Sequence, residues 1–167
     1  MIADDAFVAP GAQVSGEVDM GPQTSVWYGA ALRGEAAPVV LEAQVNVQDN
    51  AVVESTAGHS VRIGQRTSLG HNARVIGAIV EERSLIAIGA AVLPGACVGS
   101  RSIVAANATV PEGMQVPPGS LVIGKGRILR EVRPEEIARI ERGADDYVRL
   151  GREHRLSLWE RSPRSGG

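Results

Sequence analysis

An aliphatic residue returns at every sixth position from Val80 to Ile128: Val80, Ile86, Val92, Val98, Val104, Val110, Val116, Val122 and Ile128. A period of six is neither the 3.6 of a helix nor the 2 of a lone strand, so the unit is one short strand followed by one turn. Three units close one triangular coil of about eighteen residues. Coils then stack at strand spacing, ~4.8 Å, with the aliphatic side chains inside the prism and backbone hydrogen bonds running from coil to coil. The expected fold is an all-β solenoid, a left-handed parallel β-helix of hexapeptide repeats. Non-glycine residues at its corners suit the left-handed coil.

The same period is already running at Ile2, Val8, Val14, Met20, Val26 and Leu32. Nine positions then separate Leu32 from Leu41, so three residues of Arg33-Gly34-Glu35-Ala36-Ala37-Pro38 bulge from a corner. A second bulge, Ser55 to Val61, separates Val53 from Ile63, and Leu69 and Val75 follow in step. Loops that interrupt a strict repeat tend to gather on one face and carry binding. After Ile128 the pattern changes at Arg133-Pro134-Glu135-Glu136, where proline at a first helical position and two acids in the first turn announce a helix. Ile137, Ile140, Ala144, Tyr147 and Val148 give it one apolar stripe to lay on the prism or on a neighbouring subunit. The expected organisation is a β-helix over 1–132, a C-terminal α-helix over 133–155 and a flexible, arginine-rich tail over 156–167.

Composition agrees with a narrow prism, which has no room for large rings: aromatic residues are only 3% of the 167. A net charge of −2 and the lack of a long basic run before the tail argue against nucleic acid. No apolar run approaches the ~20 residues of a membrane span. The N-terminus lacks a basic start and apolar core, and the one cysteine, Cys97, has no internal partner, so the cytoplasm is the expected compartment. Cys97 reads as a small packing residue rather than a reactive thiol.

Register converts the list into neighbours. Arg33, Glu54 and Ile76 each follow an inward aliphatic residue and, with the bulges subtracted, stand one coil apart in one outward column. Asp49 and His71 form a second column, with Gln48 beside Asp49. Polar side chains stacked outside a prism are solvated unless another prism covers them. In a trimer, the column of one chain can meet that of the next and become a pocket.

The chain resembles the γ-class carbonic anhydrases and their relatives. The similarity runs through Val26-Trp27-Tyr28-Gly29, Leu32-Arg33-Gly34, Asn46-Val47-Gln48-Asp49-Asn50, Gly58-His59, Leu69-Gly70-His71, Pro117-Pro118-Gly119-Ser120-Leu121-Val122-Ile123-Gly124 and Glu135-Glu136-Ile137. The resemblance implies a homotrimer with a zinc at each subunit interface, held by two histidines of one chain and one of the next. Those three histidines correspond here to Glu54, His71 and Ile76. Catalytic zinc keeps three protein ligands and an open position, and isoleucine donates nothing. His59 reads as a loop-packing residue sooner than a third ligand beside His71 and Glu54. The family's Arg-Gly-Asp has become Arg33-Gly34-Glu35, which puts a longer acid in the interface network.

Glu54 and His71, with Arg33, Gln48 and Asp49, are therefore the candidate catalytic set, and Asn46, Ile76, Tyr147 and Glu35 the candidate pocket. The leading expectation is a repurposed enzyme without metal or cofactor, in which a carboxylate and an imidazole act as base and acid on a small molecule at the interface. The alternatives are a non-catalytic binding or scaffold trimer, with Arg33 and Glu54 only an ion pair, and a residual zinc-dependent carbonic anhydrase or hydrolase.

Overall fold

A computed structural model describes residues 1–161, with side chains as far as 157, and consists of a left-handed parallel solenoid of about six turns and one C-terminal helix. The prism has three faces. The first stacks Phe7–Val8, Ser25–Val26, Asn46–Val47, Ser68–Leu69, Leu85–Ile86, Ile103–Val104 and Ser120–Ile123. The second stacks the first part of Gln13–Met20, the first part of Ala31–Leu41, Val52–Glu54, Arg74–Ile76, Ala91–Val92 and Thr109–Val110. The third takes the far ends of the two long strands and then Val61–Ile63, Ile79–Val80, Cys97–Val98 and Gln115–Val116.

The six-residue period is the wall of the core. Val26, Leu32, Val47, Val53, Ile63, Leu69, Val75, Val80, Ile86, Val92, Val98, Val104, Val110 and Val122 are all fully buried. The corners are left-handed turns held by Gln23, Gln44, Asn50, Arg66, Asn72, Arg83, Arg101 and Asn107, all with φ between 54 and 61°. Polar side chains tolerate that region better than β-branched ones, which is why the inward aliphatics stay in the strands.

The first bulge emerges between Gly34 and Val39, opposite the single residue Glu17. A Cβ on Gly34 would run into the Glu17 carbonyl, so this corner needs glycine. The second bulge is a tight hairpin in which Thr56 and His59 exchange backbone hydrogen bonds of 3.0 and 2.9 Å. Val61, expected in that bulge, is already a buried strand residue.

Three expectations are corrected. Ile128 is not an inward residue: it lies 44% exposed on Arg127–Glu131, which turns back antiparallel along Ser120–Ile123 and ends the solenoid. Ile2 and Val8 keep the register but lie on the first coil with their side chains exposed rather than in the core. The helix α1 runs Pro134–Arg161, past the expected end at 155. The flexible tail expected over 156–167 thus begins inside α1, and 162–167 lie outside the described residues.

Helix α1 descends the first face, touching it at 7–8, 25–26, 46–47 and 68–69. Arg66 clamps it by donating to Glu141 Oε2 (2.6 Å), Asp145 Oδ1 (2.7 Å) and, within the prism, Gln44 Oε1 (2.7 Å). At its start, Arg130 makes two 2.8 Å bonds to the Glu136 carboxylate, which also accepts the Arg133 N–H. Those donors pull the Glu136 carboxyl down to about 2.

Candidate functional site

The two columns are in the register that the spacing predicts. Arg33 pairs with Glu54 and Glu54 with Ile76 across the second face, with Glu54 and Ile76 at the ends of their strands. Arg33 Nη1 lies 3.8 Å from Glu54 Oε2, with both side chains about two-fifths exposed. In the other column His71 Nδ1 lies 3.1 Å from Asp49 Oδ2, again with both about two-fifths exposed. Within the chain Glu35 sits on the bulge and accepts a 2.8 Å bond from Ser15.

Beside Asp49 the polar residues are buried rather than exposed. Gln48 donates to Asn46 Oδ1 (3.1 Å), and Asn46 donates to Ser68 Oγ (2.8 Å) beneath α1. Tyr147 comes down from α1 with its ring edge-on to Trp27, 5.4 Å between centroids. Burial, and secondarily the charge of Asp49, raise the Tyr147 hydroxyl above its ordinary range. Asn46, Gln48 and Tyr147 therefore join the Asp49–His71 column, while Arg33, Glu54 and Ile76 form a separate group.

One chain does not unite the two groups. His71 lies in the corner turn that precedes the second face, with Asn72 in the left-handed region beside it, whereas Ile76 ends the strand Arg74–Ile76. His59 does not bridge the gap. It is exposed on the hairpin, set against Gly77 and Gly95 on the side of the third face, where it lines a shallow cleft with Cys97. Burial raises the Cys97 thiol, consistent with packing rather than reactivity. Among the described residues, no cluster of three His, Cys, Asp or Glu is positioned within one chain to hold a metal.

Two features escaped the sequence reading. Four of the five Phe, Trp and Tyr residues, Phe7, Trp27, Tyr28 and Tyr147, gather with His154 between α1 and the first coils. The signal was Phe7 one place before an inward residue and Trp27 one place after, both pointing out to where a helix lands. The second is that both columns turn apolar at adjacent levels. Leu93 continues the Ile76 column and Ile88, 54% exposed, continues the His71 column.

The fold, the corner conformations and the outward columns define a hexapeptide-repeat left-handed β-helix. No protein-family model matches the chain. A protein of Methanocaldococcus jannaschii named "Probable carbonic anhydrase" is 44% identical over 151 residues, 90% of this chain and 95% of that one. Gamma carbonic anhydrase 1, mitochondrial, of Arabidopsis thaliana is 37% identical over 92% of this chain, which spans only 58% of that protein. Among solved structures, a Bacillus cereus protein provisionally described as an acetyltransferase superposes with a TM-score of 0.90 at 27% identity, covering 92% of this chain and 90% of that one. The chain belongs to the γ-class carbonic anhydrase family. No helix among the described residues is long and apolar enough to cross a membrane.

Proposed function

We propose that the protein is a homotrimer of this family in which the zinc site has been lost and a metal-independent acid/base pocket remains at each subunit interface. The column Arg33–Glu54–Ile76 carries this reading. Ile76 has no lone pair to offer a metal, and Glu54 already has a guanidinium 3.8 Å away. With His71 of the next copy the protein donors number two, short of the three that a catalytic zinc requires. The donor set does not fit the metal.

It fits proton transfer. Glu54 as a carboxylate takes a proton from a substrate lying between two copies, steadied by Arg33. His71 is held through Nδ1 by Asp49, which leaves Nε2 to exchange a proton on the opposite side. The apolar continuation of each column, Ile76 with Leu93 on one side and Ile88 on the other, favours a dry contact next to the polar pair. A trimer on light scattering, substoichiometric zinc in the purified protein and negligible hydration of carbon dioxide are the expected results. A monomer would remove the pocket altogether.

A second reading, a zinc-dependent carbonic anhydrase, is favoured by the names of the relatives. Stoichiometric zinc, with hydration activity lost on chelation, would support it and refute the first.

A further inference from the structure

Helix α1 does not lie flat on the first face over its whole length. Its principal contacts end at Ser68–Leu69, and over the later coils it leaves a cleft of about 590 Å³. The floor is the outward side of the sheet, with Leu85, Ile103 and Leu121 only partly covered. Gln48 and Tyr147 close the upper end, one residue from Asp49 and hence next to the column that ends in His71. Four charged groups line the helix side: Glu136, Arg139, Arg142 and Asp146. Glu136 is engaged by Arg130 and Asp146 by Arg149, whereas Arg139 and Arg142 enter none of the ion pairs formed among the described residues.

We propose that this cleft binds an amphipathic organic anion, with its apolar body on the aliphatic floor at Leu85 and Ile103 and its carboxylate on Arg139 and Arg142. The volume is that of an ordinary small-molecule site and far exceeds what a triatomic gas needs. A floor of aliphatic side chains offers no specificity except for an apolar chain. Guanidinium groups free of protein carboxylates recognise a planar anion with paired N–H donors. Spacing sets the ligand's length. At 1.5 Å rise per residue, Arg142 and Arg139 lie roughly 8 to 12 Å along α1 from Tyr147. About seven to ten bonds of extended chain cover that distance. The far end of such a ligand would lie beside Gln48 and the Asp49–His71 column. That it would react there rests on the function proposed above, whereas binding in the cleft does not.

Octanoate is the probe, with acetate and octanol as the headgroup and the chain alone. Isothermal titration of the wild-type protein should give saturable octanoate binding at least tenfold tighter than either control. Arg139→Ala with Arg142→Ala, both on exposed helix positions, should weaken octanoate at least tenfold and leave octanol unchanged. Glu54→Gln should bind octanoate as the wild type does, so loss of the catalytic reading would leave this result intact. Absence of octanoate binding overturns the proposal, as does equal affinity in the double arginine variant. A cleft filled by a second copy would register as the first of these.

Discussion

Two sets of polar side chains decorate the outside of this prism, and they differ in what covers them. On the first face, Ser25, Asn46, Gln48 and Ser68 are all at most 9% exposed beneath α1, and Asn46 links Gln48 to Ser68 by hydrogen bonds. At the edges of the second face, Arg33, Glu54, Asp49 and His71 are about two-fifths exposed, with none of the described residues covering them. The first set is finished by its own helix. The second has the same stacked arrangement without a lid among the described residues, as the proposed interface requires.

The largest expected effect belongs to the finished face. Trp27 is 5% exposed, donates its indole N–H to Ser25 Oγ at 2.9 Å and meets both Phe7 and Tyr147. Trp27→Ala should cost about 3–5 kcal/mol in denaturant unfolding and loosen α1 first, which amide exchange along the helix would report. Asn46→Ala leaves Ser68 and the Gln48 amide without their partners in a buried place and should cost ~1–3 kcal/mol. The uncovered set should behave differently. Arg33→Ala should cost about 0–1 kcal/mol in dissociated chains. In the assembled protein it should cost more, read as a rise in the concentration at which the oligomer falls apart. Equal effects in both states would erase the contrast between the two sets.

The smallest effect is a pH dependence away from both sets. Glu136 is held at about 2, below the ordinary carboxylate range, first by Arg130 and then by the Arg133 N–H. A depressed carboxyl contributes stability that is complete above its unfolded value, near 4.5, and is lost as pH falls towards 2. Glu136→Gln should flatten the unfolding midpoint over that window and leave it parallel to wild type above it.

Much of this was legible because a solenoid is nearly one-dimensional. Counting from Leu32 to Val53 to Val75 places Arg33, Glu54 and Ile76 in one column, and the same count places Asp49 under His71. The count failed where the repeat ends. Ile128 keeps the spacing but belongs to a strand that reverses direction, and a period carries no sign of reversal. The place of Glu35 rested on the resemblance and not on the count, because a residue on a bulge carries no register. The landing of α1 on Trp27 and the cleft beyond Ser68 depend on how a helix tilts over a face, which no single-strand pattern encodes.

The central claim is that the Glu54–Ile76 column of one copy faces His71 of the next. Glu54→His with Ile76→His sets two imidazoles about 4.8 Å apart at strand spacing, opposite His71 of the neighbour, and recreates a three-nitrogen site. Calorimetric titration with zinc should show binding far tighter than in the wild type or either single variant, zinc should stabilise the trimer, and adding His71→Ala should abolish the gain. A folded, trimeric double variant with no gain in zinc affinity would contradict the pairing of the two columns.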